Sequence, residues 1–61
     1  LSGREREVLR LIAAGQSTKE MARSLAITER TVQFHVTSIL NKLGAGSRAQ
    51  AVALAVERGL L

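Results

Sequence analysis

The chain has 61 residues, enough for one small domain, and its nine Lys and Arg against five Glu give a net charge of +4. It has no Cys, which excludes disulfides and thiolate metal sites, and no apolar run long enough to cross a membrane. An Ala- and Leu-rich composition with a single Phe and no Pro favours helices. The basic balance suits a polyanionic partner, but a charged, well-solvated surface explains it equally well.

Cap residues divide the sequence into four predicted helices, so the expected fold is all-α, a four-helix bundle. Ser2, Ser17 and Ser47 are each followed three residues later by Glu or Gln, the capping-box pattern that begins a helix. Thr28 begins the third helix without such a partner. Three glycines suit the left-handed conformation that ends a helix, and they are Gly15, Gly44 and Gly59. The predicted helices span about 3–14, 18–25, 29–43 and 48–58.

Apolar residues recur at helical spacing and give each predicted helix a face that turns toward the core. These faces are formed by Val8, Leu9 and Ile12, by Met21, Ala22 and Leu25, by Val32, Val36, Ile39, Leu40 and Leu43, and by Ala51, Val52 and Ala55. The rest of the first helix mixes Arg with Glu5 and Glu7, and such a mixture of signs is typical of a solvated surface.

A connection of three residues, Ala26 to Thr28, joins the second and third helices. So short a turn forces the two helix axes to cross sharply, as in a helix-turn-helix. Ala22 supplies the small residue that the crossing needs, and Ile27 follows the first turn position as an apolar residue. That first position requires a positive φ and usually holds Gly, so Ala26 is expected to cost on the order of 1 kcal/mol.

Four segments in order resemble the LuxR-type helix-turn-helix, also called the FixJ or NarL type. They are LSGREREVL at 1–9, STKEMA at 17–22, TERTVQFHV at 28–36 and SRAQAV at 47–52. The resemblance covers essentially the whole chain. It implies a C-terminal DNA-binding domain of a bacterial transcription factor that acts in the cytoplasm on nucleoid DNA. Residues 1–61 would then be part of a longer response regulator or ligand-sensing regulator, such as those of two-component systems.

The third helix is expected to enter the major groove, and Gln33, Phe34 and Thr37 are the candidates for base contacts. The resemblance places groove contacts at these positions, although the first is commonly Lys in the family. A Gln can bond to adenine N6 and N7 together, and a Thr can bond a base edge or pack on a thymine methyl. Phe34 lies off the apolar face, so it either contacts thymine methyls or sugars in the groove, or packs against the turn, or is simply exposed.

Phosphate contacts are expected where basic and hydroxyl side chains begin helices, since free N–H groups and the helix dipole favour an anion there. The candidates are Ser17, Thr18, Lys19, Arg30, Thr31 and Arg48. For Ser17 a purely capping role is an equal alternative, and for Lys19 and Arg48 a solvated charge is the alternative. Lys42 and Asn41 are weaker candidates.

A second apolar stripe on the fourth helix consists of Ala49, Ala53 and Val56. The family dimerises through this helix, so the resemblance implies a homodimer here and leaves a contact with RNA polymerase open. Three small side chains bury little area, so the free domain is expected to dimerise weakly and DNA to strengthen the pairing. An ordinary Ala-rich helix with exposed methyl groups is the alternative.

An enzyme is disfavoured because the chain has no Cys, no Asp and a single histidine, His35. For the same reason no metal and no cofactor are expected. A protein-interaction module is the more serious rival. DNA binding and protein interaction are distinguished by whether Lys19, Arg30 and Arg48 lie on the same side of the domain as Gln33.

Overall fold

Four helices account for the architecture of the computed structural model, which describes residues 1–61. They are α1 (Gly3–Ala13), α2 (Thr18–Leu25), α3 (Glu29–Leu43) and α4 (Arg48–Glu57), and there are no strands. The predicted all-α fold is therefore confirmed. Two predicted ends, at residues 14 and 58, were one residue too long. Ala14 and Arg58 have ψ near 0°, and each passes the chain to a glycine with positive φ.

Local side-chain bonds begin each helix. Ser2 and Ser17 form reciprocal capping boxes with Glu5 and Glu20, as predicted. At Ser47 only one of the two predicted capping-box bonds is present. The Ser47 hydroxyl accepts the N–H of Gln50, but the Gln50 side chain accepts the N–H of Gly46 instead of that of Ser47. Ser47 is more extended than the other caps, with φ −156° against −71° for Ser2, so its N–H points elsewhere.

Each helix ends in the same way: a residue with positive φ is followed by a residue whose N–H bonds the carbonyl five residues back. Gly15, Gly44 and Gly59 supply the positive φ at three of these ends, as predicted. At the end of α2 the residue is Ala26, with φ 55° and ψ 43°, and it is the only non-glycine residue with positive φ. The turn therefore has the predicted geometry, in spite of the side chain.

The core lies around α3, which packs against each of the other three helices. Its buried members are Val8, Leu9, Ile12, Met21, Ala22, Val32, Val36, Ile39, Leu43, Ala51 and Ala55. Leu25, Leu40 and Val52 are half-buried against this cluster. The apolar faces predicted from the sequence are thus the faces that pack. Since α3 commits one face to the core, its other side is left for solvent or a ligand.

A buried carboxylate ties α1 to α3, which the sequence interpretation of Glu5 as a solvated residue missed. Glu5 is only 4% exposed. Its Oε1 accepts the Lys42 ammonium and the Ser2 N–H, each at 2.8 Å, and its Oε2 accepts the Ser38 hydroxyl at 2.6 Å. The bonds from Lys42, then Ser38 and Ser2, lower the pKa of Glu5 to about 2 against the opposing effect of burial. The cap of α1 is therefore also a tertiary clamp.

Candidate nucleic-acid interface

An exposed row of side chains runs along the outer side of α3. Arg30, Gln33, Phe34 and Thr37 are all exposed, and their spacing of three and four residues places them on one side of the helix. Phe34 is 71% exposed, which excludes the alternative that it packs against the turn. Its ring forms an edge-to-face pair with the ring of His35, with the two centroids 5.8 Å apart. The ring is therefore exposed among polar side chains and available to a ligand, which leaves this row a candidate binding surface.

Arg48, the first residue of α4, connects this row to the start of α2. Its guanidinium donates to the Thr18 hydroxyl at 2.6 Å and lies 3.5 Å from Oε1 of Gln33. The N-terminal ends of α2 and α4 therefore meet beside the N-terminal half of α3. One of the three cations named above, Arg48, is thus fixed on the same side of the domain as the predicted base-contacting residues.

The start of α2 leaves two backbone donors free. The Ser17 hydroxyl accepts the Glu20 N–H at 3.1 Å, and the Glu20 carboxylate accepts the Ser17 N–H at 2.9 Å. The bonds from the Ser17 backbone and hydroxyl lower the pKa of Glu20, so its charge persists beside the helix start. Ser17 is therefore a cap in this structure. The N–H groups of Thr18 and Lys19 have no intrahelical partner and remain open to an anion.

Two further cations of the predicted phosphate set form no ion pair. Lys19 and Arg30 are exposed, and neither takes part in the two ion pairs of the domain, which join Arg4 to Glu7 and Lys42 to Glu5. At the start of α3, the Thr31 N–H is capped by Thr28, and the two hydroxyls lie 2.9 Å apart. Lys42, the weaker phosphate candidate, differs from Lys19 and Arg30 because its ammonium is bound by Glu5 in the free domain.

The second stripe of α4 is exposed as its spacing predicts. Ala49, Ala53 and Val56 face solvent, and Val56 is 62% exposed, whereas Ala51 and Ala55 on the opposite face are fully buried. An uncovered stripe of small side chains lets another helix approach closely.

Comparison with known proteins identifies the domain type. The family described as "Bacterial regulatory proteins, luxR family" matches residues 1–55. The chain belongs to this family. Among curated relatives of this luxR-family domain, the transcriptional regulatory protein YdfI of Bacillus subtilis (strain 168) is 48% identical over 61 residues. That match covers all of the chain but 29% of YdfI, so the domain spans less than a third of that relative.

Solved structures agree with the family in fold. The transcription factor GerE superposes on the luxR-family domain with a TM-score of 0.93 and 39% identity, over 100% of the chain and 91% of GerE. The Vibrio cholera protein VqmA, in a structure described as a ligand–DNA complex, superposes with a TM-score of 0.90 and 37% identity, over 98% of the chain and 26% of VqmA. The luxR-family helix-turn-helix is a double-stranded DNA-binding module of transcriptional regulators.

The luxR-family domain has neither a metal-binding cluster nor a membrane-spanning helix. No three His or Glu side chains approach one another closely enough to hold a metal ion. None of the four helices combines the length and the apolar character needed to span a bilayer.

Proposed function

We propose that the domain regulates transcription by placing α3 in the major groove, with Gln33, Phe34 and Thr37 against the bases. The observation that carries this proposal is the position of Arg48, which lies 3.5 Å from Gln33 and so sets a cation beside the exposed row of α3. Base edges in the major groove offer acceptors, donors and thymine methyl groups. An amide, an aromatic ring and a hydroxyl carrying a methyl group form a set that matches all three.

The same proposal assigns the flanking groups to phosphates. Lys19, Arg30 and Arg48 provide charge, and the free N–H groups at the start of α2 provide oriented donors. The hydroxyls of Ser17, Thr18 and Thr31 complete the set. The Ser17 and Thr18 hydroxyls accept bonds in the free domain, and each keeps its own proton to donate to a phosphate oxygen. These contacts fix the register of the domain on DNA, and the base contacts select the sequence.

A pair of domains would bind a roughly two-fold symmetric site through the exposed stripe of α4. Two alanines and one valine offer far less surface than the 1,200 Å² or so of a stable interface. Adjacent half-sites would therefore supply most of the assembly. This stripe supports a homodimer that is weak in solution and stronger on DNA.

The domain is best understood as the output part of a longer regulator. The fraction of YdfI that it covers, 29%, supports this, since the remainder of such a protein is available for a receiver or ligand-sensing domain. Action in the bacterial cytoplasm on nucleoid DNA, and contact with RNA polymerase, belong to the same proposal. A catalytic role is not proposed, because the only groove, of about 280 Å³, is lined by Glu7, Arg10, Leu11, Ser24 and Leu25 and contains no nucleophile–base pair.

Titration of double-stranded DNA with the 61-residue chain at several salt concentrations tests the proposal. The logarithm of the binding constant should fall linearly with the logarithm of salt concentration, with a slope of about −0.9 per neutralised phosphate. Lys19→Ala should make that slope shallower by about one phosphate. Arg4→Ala removes an equal charge from α1, where Arg4 pairs with Glu7, and should change the slope little. Salt-independent binding, or equal effects of the two variants, would reject the interface described above.

A further inference from the structure

Arg48 touches two side chains whose proposed roles differ. Its bond to the Thr18 hydroxyl is short, 2.6 Å, and half-buried, so this bond holds the guanidinium in place. Its contact with Oε1 of Gln33 is longer, 3.5 Å, and exposed. In water such a contact contributes little, but DNA bound over it would exclude water and strengthen the attraction between the cation and the carbonyl oxygen. The Arg48–Gln33 contact would therefore be stronger in a DNA complex than in the free domain.

We infer that Arg48 is a positioning residue for Gln33 and that it makes Gln33 select guanine over adenine. The inference rests on the proposed function, in which Gln33 reads a base. A glutamine amide has an accepting oxygen at one corner and a donating NH₂ at the other. Because the cation attracts the oxygen, the NH₂ of Gln33 is turned away from Arg48. The side chain then presents donors to the DNA.

The major-groove edge of guanine can accept from the donors that Gln33 presents, whereas the edge of adenine is only partly complementary to them. The major-groove edge of guanine carries two acceptors, O6 and N7, whereas adenine carries one acceptor, N7, and one donor, N6. The paired contact with adenine requires the glutamine oxygen to accept from N6. With Arg48 on that oxygen, the N6 donor would have to approach an atom that already faces a positive charge. The tertiary contact thus replaces the adenine preference that an isolated glutamine suggests.

The guanidinium is suited to this task in a way that an ammonium is not. It has five N–H donors in a rigid plane, so Arg48 can bond Thr18 and Gln33 and still direct remaining donors at a phosphate. One side chain would then couple a backbone contact to a base contact. Lysine at this position keeps the charge for a phosphate but has no planar fork to hold the amide.

Selection of bound sites from random DNA, followed by fluorescence anisotropy on probes that differ at single base pairs, tests this inference. The wild-type chain should favour G·C over A·T at one position by about tenfold or more. Both Gln33→Ala and Arg48→Lys should reduce that preference to roughly threefold or less, and the double variant should reduce it no further. Thr18→Val, which removes the anchoring hydroxyl, should weaken the same preference without changing the net charge.

Lys19→Ala is the matched control, because Lys19 follows Thr18 in α2 but the one side-chain hydrogen bond to Gln33 comes from Arg48. It should lower affinity for both probes by the same factor. Equal losses on both probes with Arg48→Lys and with Thr18→Val, while Gln33→Ala abolishes the preference, would overturn the role of Arg48 and leave the proposed function standing. If Gln33→Ala alters no base preference, both the role of Arg48 and the base-reading role of Gln33 are wrong.

Discussion

The buried carboxylate of Glu5 makes the stability of the domain depend on pH in a defined window. Its pKa is lowered from 4.5 to about 2, so the folded state holds the proton less tightly than the unfolded chain. At about 1.4 kcal/mol per pKa unit the full difference is about 3 kcal/mol, and the half-exposed Lys42 partner reduces this to about 2–3 kcal/mol. This is a large share of the stability of so small a domain.

The sign follows from the lowered pKa of the folded state. As pH falls below about 5, the unfolded chain takes up the proton first, and this favours unfolding. The contribution of Glu5 is therefore complete near neutral pH and is lost between about pH 5 and pH 2. Glu5→Gln cannot ionise, so we expect it to lower the free energy of unfolding at pH 7 by about 2–3 kcal/mol and to flatten the profile within that window.

Urea unfolding followed by circular dichroism at pH 7, 5, 3 and 2 measures both effects. Glu7→Gln is the matched control, since Glu7 lies on the same helix and makes only an exposed contact with Arg4 at 3.4 Å. We expect this control to change stability by less than about 0.5 kcal/mol. If the free energies of unfolding of wild type and Glu5→Gln fall in parallel below pH 5, the pKa of Glu5 is not lowered in the folded state and the expected pH dependence is wrong. The wild-type profile alone still tests the idea if the variant unfolds.

Three further outcomes are expected. Ala26→Gly should leave the free energy of unfolding unchanged or raise it by up to about 1 kcal/mol, since relief of the positive φ opposes the greater entropy of the unfolded chain. A clear fall in melting temperature would mean that the turn is not strained. Phe34→Ala should leave the melting temperature within a few degrees of wild type, because the ring is 71% exposed, but should weaken binding to selected DNA sites. Unchanged DNA affinity would remove Phe34 from the interface. Ala53→Glu should impair binding to paired half-sites more than to a single half-site in gel-shift assays. Equal losses on both would argue against pairing through α4.

Features that depend on neighbouring residues could be predicted from the sequence. A cap, its partner three residues on and an apolar repeat lie within one or two helical turns, so the order of residues fixes their geometry. All four helices and the positive φ of Ala26 follow from such patterns. The failure at Ser47 has a local cause as well, because its more extended backbone redirects the Gln50 side chain to Gly46.

Contacts between distant residues were decided only by the tertiary structure. Glu5 looked like one of several alternating charges on α1, and no pattern near it identifies Ser38 and Lys42 as partners on another helix. Lys42 in turn looked like a free cation. A retrospective signal exists in the four-residue spacing of Ser38 and Lys42, which places both on one side of α3. This spacing identifies partners for Glu5 only once α1 is known to pack against that side of α3.

The outward side of α3 could be predicted from the sequence, but the contacts that its side chains make could not. An apolar stripe turned inward leaves Gln33, Phe34 and Thr37 outward, and local periodicity determines this. The position of Arg48 beside Gln33 depends on how α4 returns to pack against α3, and its bond to Thr18 joins residues 30 positions apart. Helical periodicity determines the direction in which a side chain points from its own helix. The charged groups that lie near that side chain are determined by how the other helices pack.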